Sequence, residues 1–244
     1  MSDGLMTLAL LPGILIIIFI FRKDKIEREP VSLIVKLALF GALSCIPAIF
    51  LELFIGELGP VYTEGTLAYA LYEAFVIAAL CEEICKYVFL RLGSWRHKAF
   101  DYRFDGIVYG VSVAVGFALL ENILYVMEGG FYTAVMRAVL AVPLHAFCGV
   151  FMGVAYGAAK RDSIEGNRAK QRKATFMALF VPIMIHGIYD TLAFLNGWTP
   201  FILLLVFVAF LYVIAIKYVN KYSREDWSGN LYRSTLSQKS ESDW

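Results

Sequence analysis

Charge is scarce in this 244-residue chain: 18% of the residues are Asp, Glu, Lys or Arg, against about 25% in a water-soluble domain. Hydrophobic residues make up 59% where soluble proteins have roughly 45 to 50%, and mean hydropathy is +0.66, so most of the chain must lie in lipid. Neither sign of charge is in excess. With 22 basic and 21 acidic residues and no basic run interleaved with aromatics, the electrostatic footprint of a nucleic-acid binder is missing, and no nucleic-acid partner is expected. Cys-x-x-Cys spacing is missing as well. Cys45, Cys81, Cys85 and Cys148 sit inside apolar runs, where cysteine behaves as a small hydrophobe, so they point to no metal or redox motif and say nothing of redox compartment. Strand-like alternation, internal repeats and signs of a second folded domain are all absent.

What is present is a series of long apolar runs. Crossing a bilayer takes about 20 mainly apolar residues in a helix, and seven stretches qualify: Leu5 to Phe21, Val31 to Ile55, Leu67 to Leu92, Asp105 to Met127, Phe131 to Ala159, Ala174 to Leu195 and Pro200 to Val219. The expected fold is therefore an all-α polytopic membrane helical bundle over residues 1–219, followed by a polar cytoplasmic tail over 220–244. The first stretch begins with Asp3 instead of basic residues and has no small-x-small cleavage site before Arg22, so it reads as a retained helix and not as a signal peptide.

Every second connection lacks Lys and Arg altogether. The remaining ones collect them: Arg22, Lys23, Lys25 and Arg28 after the first stretch, Arg91, Arg96, Lys98 and Arg103 after the third, Lys160 to Lys173 after the fifth, and Lys217 to Lys239 after the seventh. Because cytoplasmic loops accumulate basic residues, this alternation predicts seven spans with the N-terminus outside and the C-terminus cytoplasmic.

Against that background the ionisable residues inside the stretches stand out. Each carboxylate near the bilayer centre costs about 2.5 to 3.5 kcal/mol, so several need a reason. The third stretch carries Cys81-Glu82-Glu83-Ile84-Cys85-Lys86, the fourth Glu121-Asn122, the fifth His145, and the sixth His186-Gly187-Ile188-Tyr189-Asp190. His145 shares a helix face with Gly149, Gly153 and Gly157, and Glu121 lies nearly in line with Gly106 and Gly110, so both should face protein, not lipid. Glu82 and Lys86 could be a structural i, i+4 ion pair, but that leaves Glu83 unexplained; two crowded, desolvated acids are suited to dividing into a proton donor and a proton acceptor. Asp190, four residues after His186, could hold the imidazole tautomer for catalysis or behind a metal, or act only as a cap. By depth Glu121 should stand about 10 Å from Glu82 and Glu83, a gap that needs tilted or broken helices to close. Glu52, Glu57, Glu64, Asp105 and Glu128 near span ends, and His97 in a basic connection, read as solvated. Lys36, Glu73 and Arg137 lie inside spans with no assigned role.

Together, Glu82-Glu83-x-x-Lys86, Gly116-Phe117-Ala118-x-x-Glu121-Asn122, His145 and His186-Gly-x-x-Asp190 resemble the PrsW family of bacterial membrane proteases, relatives of the CAAX prenyl endopeptidases. The likeness covers the third to sixth stretches. It departs where many members have a third acid before the pair, since Cys81 stands there. The resemblance implies a membrane-embedded endopeptidase of the bacterial plasma membrane whose substrate is a single-span membrane protein such as an anti-sigma factor. It implies Glu82, Glu83, Glu121, His145 and His186 as the catalytic set, supported by Lys86, Asn122 and Asp190. Peptide hydrolysis needs a base for water, a stabilised oxyanion and a proton for the leaving amine. Glu82 or Glu83 can be the base, and Asn122 can hydrogen-bond substrate backbone. His145 and His186 can donate to the oxyanion, or with Glu121 hold a divalent metal such as zinc; both chemistries stay open. The His-Glu-x-x-His signature is absent. A proton- or ion-coupled transporter using the same acids and histidines as a relay is the competing class, weakened by the absence of matched halves.

Overall fold

The computed structural model describes residues 3–24 and 28–225, and among these it holds helices and no strand. In chain order they are α1 (Asp3–Lys23), α2 (Val31–Leu58), α3 (Leu67–Tyr72) running through a π-helical stretch π1 (Glu73–Ala79) into α4 (Leu80–Ser94), α5 (Arg103–Met136) running through π2 (Arg137–Ala141) into α6 (Val142–Ile164), then α7 (Arg168–Phe194) and α8 (Trp198–Glu225). Helix is the form a lipid-embedded chain can take without leaving backbone groups unpaired, and it tolerates Pro12, Pro47 and Pro182 here. Polar side chains mark the starts. Thr66 Oγ1 accepts from Tyr69 N at the head of α3 and Asn167 Oδ1 from Lys170 N at the head of α7. Asp105 does the same at α5, accepting from Tyr102 N at 2.7 Å and Asp101 N at 3.0 Å. It is buried at 1% exposure, so the expectation of a solvated Asp105 was wrong: the cap makes its charge useful inside the protein.

Among the described residues, five helical segments are long and apolar enough to cross a membrane, against seven expected. The difference has two visible sources. Leu67–Ser94 carries Glu73, Glu82, Glu83 and Lys86 and is not among the five, while Arg103–Ile164 counts once at 62 residues. At 1.5 Å per residue that run would be about 90 Å long, three bilayer cores. It turns back at Gly130, whose φ of 68° is open to glycine without strain. α8 continues to Glu225, beyond the predicted end of the bundle at 219, and the expected tail from 226 onward lies outside the described residues.

The centre of the bundle is the antiparallel α5–α6 pair. A Cβ on Gly106 would lie 2.5 Å from Gly153 O, and one on Gly110 would lie 2.5 Å from Gly149 O, so the two glycine faces expected from the sequence pack on each other, backbone to backbone. α2 approaches α5 equally closely, Gly41 against Val113 O and Gly116 against Ala38 O. α5 is buried from Phe104 to Ala118, whereas α1, α2 and α8 turn large apolar side chains outward, Leu15, Phe50 and Val206 among them. That outer surface suits lipid.

Candidate active site

Four helices bring the ionisable residues together, as one chain of contacts. Lys86 on α4 is its hub. Its Nζ donates to Glu82 Oε2 and Glu83 Oε1, both at 2.8 Å, stands 3.0 Å from His145 Nδ1 on α6, and lies over the Phe117 ring at 4.1 Å. An ammonium has no lone pair, so His145 Nδ1 must be the acceptor there, and its Nε2–H is left to donate to Glu121 Oε2 on α5 at 2.9 Å. The imidazole thus bridges the depth gap expected between Glu121 and the glutamate pair. On the other side His186 of α7 places Nδ1 2.9 Å from Glu83 Oε1 and Nε2 3.1 Å from Asp190 Oδ2. The two imidazoles meet edge to face, 5.2 Å between centroids.

Every residue that the sequence singled out is therefore in or beside one cluster, though two expectations need correction. Asn122 was expected to meet substrate backbone, but its Nδ2 donates to Ala9 O of α1 at 2.7 Å and its Oδ1 accepts from Arg137 Nε at 2.8 Å. Fully buried with both ends engaged, it is a strut. The expected metal set of Glu121, His145 and His186 also changes: the donor atoms that lie within 4.8 Å of one another belong to Glu82, Glu83, His145 and His186. Glu121 stands behind His145, because its Oε2 is taken by the far nitrogen of that ring and by Arg137 Nη2 at 2.7 Å. Arg137 and Phe117 are the residues that sequence reasoning missed. For Arg137 the signal was present, a charge inside a span, the same rule that picked out the acids.

Local backbone irregularity aims these side chains. π1 ends three residues before Glu82, and π2 contains Arg137 and ends four residues before His145. A π turn inserts extra backbone into a helix and rotates everything after it, and such turns recur at functional sites.

A cleft of about 430 Å³ reaches the cluster, lined at its inner end by Glu82, Glu121, His145, His186 and Asp190. Its outer wall includes Tyr132 just after Gly130 and Asn196 and Gly197 in the α7–α8 turn, so it opens at the end of the bundle opposite the Lys- and Arg-bearing connections. Glu82 lines this cleft, whereas Glu83 lies beneath it, completely buried.

The residues fit a divalent metal on three counts. Glu83 Oε2 is buried without a hydrogen-bond partner, a vacancy that buried polar atoms rarely keep. Both imidazoles have a carboxylate, Glu121 or Asp190, behind one nitrogen, the arrangement that orients histidine ligands; the other nitrogen of His186 faces Glu83 and that of His145 faces Lys86. Four carboxylates, Glu82, Glu83, Glu121 and Asp190, face two permanent cations, Lys86 and Arg137; with neutral imidazoles the two negative charges left over call for two protons or one divalent cation. Lys86 already supplies one positive charge at the centre of the donor set.

Residues 29–216 match the model of the "PrsW family intramembrane metalloprotease". Among curated proteins, the chain is 38% identical over 189 residues to "Protease PrsW" of Geobacillus kaustophilus, covering 78% of this chain and 79% of that one. It is 32% identical over 211 residues to "Protease PrsW" of Bacillus subtilis, 86% and 91% of the two chains, and 32% identical over 238 residues to that of Clostridioides difficile, 95% and 98%. No solved structure matches it. With its apolar helices, the likeness makes this a multi-pass bacterial membrane protein and a peptidase. The chain belongs to the PrsW family of intramembrane metalloproteases.

Proposed function

We propose that this peptidase cuts a single-span membrane protein, of which an anti-sigma factor is the expected kind, at a peptide bond presented from the outer side of the membrane. The observation that carries this reading is the cleft, which opens away from the basic connections and ends on Glu82, His145 and His186. It goes with seven spans, N-terminus outside and C-terminus cytoplasmic, the count obtained when the helix turns back at Gly130 and Leu67–Ser94 crosses as well.

Glu82 is the base in this scheme, because it is the member of the glutamate pair that lines the cleft. It takes a proton from water as the water oxygen bonds to the substrate carbonyl carbon, and returns that proton to the amine as the carbon–nitrogen bond breaks. Glu83 works from beneath: it accepts from Lys86 Nζ and faces His186 Nδ1 across 2.9 Å, a contact that a proton or a cation held between the two makes attractive. Glu121 and Asp190 set the tautomers of His145 and His186 by accepting from their outer nitrogens. Glu83, His145 and His186 would hold the metal, leaving Glu82 free as the base and one position open, with zinc an ion this oxygen and nitrogen set suits. When bound, such an ion supplies Lewis acidity to the carbonyl and lowers the pKa of water.

The test compares new protein termini by mass spectrometry in membranes carrying wild type and Glu82→Gln at matched abundance. Single-span proteins cut in a segment outside the membrane by wild type, and at least about a hundredfold less by the variant, are the expected result. Identical termini in the two membranes, or cuts confined to cytoplasmic segments, would overturn the proposal.

A further inference from the structure

Arg137 has no counterpart among the motifs that carry the family likeness, yet it lines the cleft and is held from three sides. Its Nε donates to Asn122 Oδ1 at 2.8 Å, its Nη2 lies 2.7 Å from Glu121 Oε2, and its guanidinium stacks over the Tyr125 ring at 4.2 Å. Asn122 is itself anchored to Ala9 O of α1, so the guanidinium is braced from α1 through α5. Nη2 is buried against Glu121, but the side chain keeps 14% exposure and lines the same cleft as Glu82 and His145. A braced cation on the wall of a cleft that also holds a base is the layout of a site that stabilises developing negative charge.

We infer that Arg137 contacts the substrate, donating from the edge of its guanidinium that lines the cleft to the oxygen of the scissile carbonyl as that oxygen becomes an oxyanion. This rests on the peptidase reading above. In the step, the water oxygen bonds to the carbonyl carbon, the water proton passes to Glu82, and the carbonyl π electrons move onto the oxygen facing the guanidinium. When the carbon–nitrogen bond breaks, the carbonyl re-forms, Arg137 keeps all its protons, and the amine leaves with the proton from Glu82. Glu121 has two tasks in this arrangement: it orients His145 and it fixes the guanidinium.

The test uses full-length protein in detergent with a peptide spanning a cut site mapped in membranes. Arg137→Gln should lower kcat about a hundredfold, the usual cost of losing one oxyanion donor, with KM within about threefold; the thermal midpoint should also fall because Glu121 loses its partner, so rates are compared well below the midpoints of both proteins. Arg137→Lys keeps a charge beside Glu121 but loses the fork, and should fall between Gln and wild type. A phosphinic peptide, which carries a tetrahedral oxyanion without being cut, should bind Arg137→Gln weaker by a factor close to the loss in kcat/KM. A residue that only supports the fold would move substrate and phosphinate affinity alike, and that result overturns the inference. So does a kcat within threefold of wild type in both variants. If wild type itself cuts nothing while Glu82→Gln is equally silent, the peptidase reading falls and this inference with it; cleavage by wild type that is indifferent to Arg137 removes this inference alone.

Discussion

Gly149→Ala adds one methyl group at a close α5–α6 contact, one turn from His145. Its Cβ would lie 2.8 Å from Gly110 O, 2.8 Å from Val111 Cα and 2.9 Å from the Ala114 Cβ, where ordinary contact begins at 3.4 Å. Two of these three neighbours are α5 backbone, which cannot rotate away, so α5 and α6 must separate by about 0.6 Å. The Glu121–His145 hydrogen bond joins the same two helices at 2.9 Å, and the same displacement would stretch it to the limit of a useful bond. Alanine gains about 1 kcal/mol over glycine in helix propensity, but overpacking costs about 1 to 3 kcal/mol, so the variant should be neutral to about 2 kcal/mol less stable. Misplacement of reacting groups by about 1 Å costs on the order of a hundredfold in rate, so a shift of this size should cost about tenfold or more in kcat. Gly56→Ala is the control: its Cβ would meet nothing within 4 Å, and it should keep full activity with equal or slightly higher stability. Thermal unfolding in detergent and cleavage of a mapped peptide are the assays. If Gly149→Ala matches Gly56→Ala in both, the close-packed seam does not position the site and the reasoning is refuted.

Two further outcomes follow from the same geometry. Protein purified without chelator should carry about one divalent ion per chain, lost in His145→Ala and His186→Ala; a wild type that is metal-free and fully active in chelator would mean that protons balance the excess charge of the cluster. Outside the spans, Glu29 in the α1–α2 connection is pushed up from 4.5 to about 7, chiefly by burial and by the Asp24 charge, against the lowering pull of hydrogen bonds with Tyr109 and Asp105. A carboxyl raised on folding adds stability that is complete below pH 4.5 and is lost as pH rises through about 7. Wild type should therefore lose thermal stability relative to Glu29→Gln between pH 5 and 7.5, and parallel melting curves across that range would contradict the assignment.

What could be read from composition and periodicity was governed by the solvent. Lipid forces backbone pairing within each segment, so apolar run length alone predicts helices, and the cost of charge in lipid makes each intramembrane acid or histidine conspicuous. That is why Glu82, Glu83, Glu121, His145 and His186 could be gathered from four separate stretches without coordinates. The spacing of Gly149, Gly153 and Gly157 likewise announced a close helix contact, since the 3.6-residue period fixes which residues share a face. Depth and direction were not available in this way. Whether Glu121 touches the glutamate pair directly or through His145, and whether Asn122 meets substrate or Arg137, depends on tilt and on the π turns before Glu82 and His145, neither of which has a residue-type signature. Which runs become helices and which residues are too polar for lipid follow from local chemistry, so both could be read along the chain. That Lys86 is the hub, that Glu82 and not Glu83 lines the cleft, and that Arg137 belongs to the site depend on distances between helices, which no local property encodes.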